Sequence, residues 1–242
     1  MKFGYTIIMG AGVGRPVGIL AALMLVAGIL APPLAAQEYR WSIAARVGGM
    51  TANGQFTAVR PNGKTISSDI GGGAYLSVGV ERRLSKRWGV TLGYEGSPSL
   101  RFTIDQDFPD GTDFSSSDTF AYSAINAGAV FRILSRPTFA LILEPYLSWA
   151  WFGDVTLAVA GPPFDRTAPL AIDVDSRLGV GAAVSGRVRL GTGGWGVGAR
   201  AGLTIQRFQG TFPDDPSMPG SGGDVDVPFN PLYLALDLSY AF

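Results

Sequence analysis

Alternation with a period of two residues runs through nearly the whole chain beyond residue 37. Tyr39, Trp41, Ile43, Ala45 and Val47 alternate with Arg40, Ser42, Ala44, Arg46 and Gly48. Leu76, Val78 and Val80 alternate with Ser77, Gly79 and Glu81, and Trp88, Val90, Leu92 and Tyr94 with Gly89, Thr91, Gly93 and Glu95. Ile172 to Val184 repeats the pattern with one interruption at Ser176. Trp195 to Ile205 and Leu232 to Phe242 repeat it cleanly. Successive side chains of a strand point to opposite faces, so each segment is a strand with one apolar and one polar face. No stretch beyond residue 37 carries a helical period, which makes the chain all-β.

Two further strands are less regular. Residues 120–133 place Ile125, Ala127, Ala129, Phe131 and Ile133 on one face and Asn126 and Arg132 on the other. Residues 139–151 place Phe139, Leu141, Leu143, Leu147, Trp149 and Trp151 opposite Glu144 and Ser148. Pro145 interrupts the second run and cannot donate to a ladder, so the sequence predicts a bulge there. Eight strands result. Short connections fall near 84–87, 134–137 and 191–194, and long loops are predicted over 51–72, 103–118, 152–170 and 208–229. This is the layout of an eight-stranded antiparallel up-and-down barrel.

A soluble barrel turns its apolar face inward and a membrane barrel turns it toward lipid. Three features favour lipid. Mid-strand ions avoid the apolar rows and fall on the other face, at Arg46, Glu81, Glu95, Glu144, Asp173, Asp175, Arg177, Arg187, Arg200 and Asp237. An Arg or Lys facing the bilayer centre would cost about 2–4 kcal/mol. Aromatics gather at strand ends on the apolar face: Tyr39, Trp41, Trp88, Phe131, Phe139, Trp195, Tyr240 and Phe242 on the short-turn side, and Tyr94, Trp149 and Trp151 on the other. Two such girdles mark the two headgroup levels. The polar face is also rich in Gly, Ala and Ser, which leaves room for the large polar side chains in a narrow lumen. The expected fold is therefore a transmembrane barrel over residues 37–242.

Residues 1–36 read as a cleaved signal peptide. Lys2 and Arg15 supply its positive start, Val17 to Leu30 is uncharged, and Pro32 and Pro33 precede a small-residue site at Ala35-Ala36. The whole chain has 19 basic and 19 acidic residues. Removing a segment with two basic and no acidic residues leaves the barrel at a formal charge of −2. That argues against a nucleic-acid partner.

The terminal run Leu-Tyr-Leu-Ala-Leu-Asp-Leu-Ser-Tyr-Ala-Phe, residues 232–242, resembles the C-terminal signal of bacterial outer-membrane barrels. Pro145-Tyr146, followed by small and apolar residues, resembles the fifth strand of the OmpA, OmpW and opacity-protein group. Trp149-Ala150-Trp151 departs from that group, where many relatives carry glycines. The resemblance implies residence in the outer membrane, among its lipid and lipopolysaccharide. It also implies recognition of the strand ending at Phe242 by the barrel-assembly machinery.

No catalytic, cofactor or metal residue is predicted. The chain has no cysteine and no histidine, so it can build neither a thiolate site nor a Ser-His-acid arrangement. Lipid-editing enzymes of this barrel size, as a class, resemble hydrolases or acyltransferases with a histidine base near the rim. Lys64, near Ser67 and Ser68, reads as a solvated loop residue. The segment with Asp105, Asp107, Asp110, Asp113 and Asp118 misses the EF-hand spacing and reads as a solvated acidic loop. The proline- and aspartate-containing stretch 209–227 reads as a flexible acidic loop. The expected role is a non-catalytic structural or surface-interaction protein with a plugged polar lumen and an unidentified external ligand. The alternative is a small channel for apolar solutes.

Overall fold

A computed structural model of the chain describes residues 41–59, 65–107, 113–153, 155–157, 170–212 and 223–242. Residues 1–36 and Tyr39, Lys64 and Asp110 lie outside them. Ten strands appear in chain order: β1 (Trp41–Val59), β2 (Thr65–Arg83), β3 (Trp88–Asp107), β4 (Asp113–Ser135), β5 (Phe139–Phe152), β6 (Val155–Leu157), β7 (Leu170–Val174), β8 (Arg177–Arg189), β9 (Trp195–Phe212) and β10 (Gly223–Ala241). No helix occurs among the described residues.

Eight of these form the wall, in the order β10-β1-β2-β3-β4-β5-β8-β9, and β9 pairs with β10 to close it. Every pairing is antiparallel. Closure leaves no edge, as a wall facing hydrocarbon requires. β6 and β7 form a small hairpin that joins the wall through Asp173 and Val174, opposite Thr211 and Gly210 of β9. The strand read over 172–184 is thus two, divided at Asp175-Ser176. The β8–β9 turn passes through Gly191 and Gly194 at φ 62° and 80°, where a side chain would be strained.

The faces follow the alternation. Leu178, Leu234 and Leu236 are 65%, 66% and 69% exposed, and Val47, Leu92, Leu147, Val180 and Ile205 share the outward face. Arg46, Glu81, Glu95, Glu144, Arg200 and Asp237 are buried inside. Trp41, Trp88 and Trp195 stand exposed at the short-turn end. Trp88 packs on Phe131 (centroids 4.7 Å apart), Trp195 on Tyr240 (5.0 Å), and the Arg82 guanidinium lies over Trp41 (5.2 Å).

The strands are longer than the alternation predicts. Residues 51–59, 65–72, 103–107, 113–118, 208–212 and 223–229, read as loop, continue the β-ladders. β4 alone has 23 residues, whereas about 9–11 suffice to cross a bilayer. The extra length stands on the long-connection side. There both faces leave hydrocarbon, so the polar-apolar contrast that reveals a strand fades while backbone pairing persists. Register shifts at 51/54 and 97/100 lie near this transition, the second at Pro98-Ser99.

Pro145 does not carry the predicted bulge. It faces outward in an unbroken β5, paired in register with Ala182 of β8. The shift against β4 falls between Arg132 and Leu134 instead.

Candidate functional site in the barrel interior

Eight strands enclose a space just wide enough for side chains to fill. The half nearer the short turns is ionic. Arg46 of β1 and Asp237 of β10 face each other in register, and Arg46 Nε donates to Asp237 Oδ2 at 2.8 Å. Arg46 Nη1 also donates to Ser77 Oγ at 3.4 Å. Arg187 lies at the centre. Its Nη1 donates to Glu81 Oε2 (3.1 Å), its Nη2 to Asp237 Oδ2 (3.3 Å), and it comes within 4.0 Å of Glu144 Oε1. Arg132 bonds the other oxygen of Glu81. Arg200 bonds Glu144, which also accepts from Ser185 Oγ at 3.3 Å. A buried charge is tolerated only when paired and hydrogen-bonded. Here the pairing joins seven of the eight strands of the wall.

Four residues along β10 from Asp237, roughly 13 Å along the strand, a tyrosine layer begins. Tyr233 accepts from Arg200 Nε at 3.1 Å. Tyr75 stacks on it and donates to Glu95 Oε2 at 2.9 Å. Tyr146 Oη and Thr204 Oγ1 are 2.8 Å apart. Each ring sits opposite glycine on a neighbouring strand: Tyr75 opposite Gly48, Tyr146 opposite Gly128 and Gly181, and Tyr233 opposite Gly202. A methyl group at Gly181 would meet the Tyr146 ring at 2.4 Å, and one at Gly202 the Tyr233 hydroxyl at 2.3 Å. Beyond the tyrosines lies an aromatic cluster. Phe152 touches Phe120, Phe208 and Phe229 at centroid distances of 5.1, 4.3 and 5.2 Å. Tyr122 packs on Phe229 at 4.9 Å.

Of the ions assigned to the lumen from sequence, Arg46, Glu81, Glu95, Glu144, Arg187, Arg200 and Asp237 converge there. Asp175 and Arg177 do not. They pair with each other at 3.2 Å on the exposed rim, where the chain leaves β7 for β8. Only the backbone of Asp173 is described. Arg132 joins the interior set, which then holds four arginines and four acids in place of the expected four and six. Asp105, Asp107, Asp113 and Asp118 lie on the paired arms of β3 and β4, not in an open loop. Ser67 and Ser68 lie on β2, in register with Thr57 and Phe56. No cluster of three or more metal-ligating side chains occurs among the described residues. The tyrosine and phenylalanine layers were missed. Their signal was present: large aromatics on the polar-face parity, opposite glycines on adjacent strands.

No protein-family model matches the sequence, and no curated protein matches it. Solved structures do. The outer membrane protein OprG from Pseudomonas aeruginosa superposes with a TM-score of 0.63 at 11% identity, covering 85% of this chain and 97% of that one. The fold is that of a small outer-membrane β-barrel. The outer membrane protein AlkL, solved in DMPC lipid bilayers, gives 0.54 at 15% identity, over 88% of this chain and 95% of that one. At these identities the outer-membrane barrels share architecture with this chain, and the interior network above is read from its own residues.

Proposed function

We infer that the protein is a non-catalytic integral outer-membrane barrel whose lumen is closed and whose outward strand extensions serve structural or surface-recognition roles. One observation carries this reading: the buried network of four arginines and four acids, capped by tyrosine and phenylalanine layers. In a cylinder of eight strands these groups occupy the space an ion would need. The outward leucines and valines and the tryptophan girdle suit a lipid surface, with lipopolysaccharide and phospholipid as surrounding partners. Residues 1–36 serve as an export signal, and the strand ending at Phe242 is the segment offered to the assembly machinery. The absence of histidine and cysteine supports a non-catalytic role. Purified protein reconstituted in planar bilayers tests the closed lumen. We expect no stable conductance step, and large, persistent steps would overturn the reading.

A second reading is a conduit for apolar solutes. The apolar lining of the lumen at its long-strand end, with Leu100, Phe120, Phe208 and Phe229 buried there, favours it. Uptake of an apolar dye into liposomes only when the protein is present would select it over the first.

A further inference from the structure

The short-turn mouth of the barrel contains a cavity of about 420 Å³ with a one-sided charge. Arg83, Arg132, Arg136, Arg187 and Arg189 line it, and among the lining residues Glu81 is the only acid. That carboxylate is engaged on both oxygens, by Arg132 and by Arg187. Asp237 accepts from Arg187 and Arg46, and Glu144 is bonded by Arg200. The acids of the network are therefore committed to pairs within it, while the wall of the cavity is set with guanidinium groups.

Trp41 and Trp195 line the same cavity and stand exposed on the outward face. Their position puts the mouth at the headgroup level of the leaflet that the short turns face. Guanidinium forks match tetrahedral oxyanions in bidentate fashion, and the volume falls in the range of small-ligand sites.

We propose that this cavity is a binding site for a multiply charged phosphoryl anion. Arg136 and Arg189 hold it at the turn end of the cavity. The phosphoryl group can come from a soluble diphosphate or from an anionic phospholipid headgroup. The site rests on the barrel geometry and stands apart from the question of a closed lumen.

Calorimetry on the full-length protein in dodecyl maltoside, a detergent without phosphorus, tests it. The probes are inorganic pyrophosphate and dihexanoyl-phosphatidylglycerol below its micellar concentration. We expect saturable binding of at least one probe, weakened at least tenfold in an Arg136→Gln/Arg189→Gln variant and unchanged in Arg101→Gln, at the opposite end. Binding of pyrophosphate alone identifies a soluble anion, and binding of the lipid with the same arginine dependence identifies the headgroup. Unboiled samples migrating as folded barrel establish that each variant is intact. No saturable binding of either probe, or equal binding by the double variant, would overturn the proposal.

Discussion

Tyr75 and Tyr233 stack face to face across the lumen, with ring centroids 4.4 Å apart and planes within 5° of parallel. Each is tied to a different charge. Tyr75 donates to Glu95, and Tyr233 accepts from Arg200. The stack thus links a carboxylate that no ion pair of the described residues reaches to the arginine network below it. This separates Glu95 from Glu144 by their surroundings and makes their energetic roles distinguishable.

Glu144→Gln removes the acid bonded by Arg200 and approached by Arg187. An uncompensated buried guanidinium costs about 3–5 kcal/mol. Glu95→Gln keeps an acceptor for Tyr75 and deletes a buried charge, so it should change stability by less than about 1 kcal/mol. Reversible denaturant unfolding in detergent or lipid vesicles measures both. Equal losses would contradict the separation.

The glycines opposite the tyrosines yield a packing test. Gly181→Ala places a methyl group against the Tyr146 ring and should cost about 1–3 kcal/mol. Shortening the ring in Tyr146→Leu makes room for that methyl, so the double variant should lose less than the sum of the two single changes. A double-mutant cycle on unfolding free energies reads this coupling directly. Strict additivity would show that ring and glycine do not share the space.

Leu236 projects from the middle of the outward apolar row of β10. Leu236→Arg should destabilise the barrel in lipid by about 2–4 kcal/mol. Leu84→Arg, at the β2–β3 turn, should cost less than about 1 kcal/mol, because depth governs the penalty. Equal effects in vesicles would mean that the apolar belt does not face hydrocarbon.

On the strand extensions, Arg207 Nε donates to Asp226 Oδ1 at 2.6 Å. This bond holds the Asp226 carboxyl below its usual range. A depressed carboxyl contributes stability above its unfolded value, near about pH 4, and loses it as pH falls through the lower folded value. Both side chains are largely in water, so the contribution is small. Asp226→Asn should lower stability slightly at neutral pH and converge with the parent at low pH, so that the acid limb of its stability profile is flatter. A loss that persists at low pH would assign Asp226 a role other than this ion pair.

Strand faces were legible in the sequence because lipid outside and ions inside impose opposite demands on adjacent residues. Leu234, Leu236 and Leu238 against Ala235, Asp237 and Ser239 show this contrast at its plainest. The strand extensions were not legible. In Thr103-Ile104-Asp105-Gln106-Asp107 the alternation does not divide lipid from lumen, although the ladder to β4 continues. Pro145 misled for a different reason. An outward proline in register with Ala182 disturbs no inward side chain, so the wall absorbs it without a shift. Arg132 and Asp175 show the limit of parity as a guide. Parity gives direction, whereas height along the barrel decides whether a charge is buried in the network or left on the rim.

The seam between β1 and β10 joins the two ends of the barrel's chain, and it carries the register-matched pair of Arg46 and Asp237. The cation lies on the first strand of the wall and its counter-charge on the last. A polypeptide cut short before Gly223 would bring Arg46 and Arg187 together without their shared aspartate, leaving excess positive charge inside a cylinder that cannot shut. Electrostatic neutrality of the core therefore acts as a completeness check, met only when the last stave is in place.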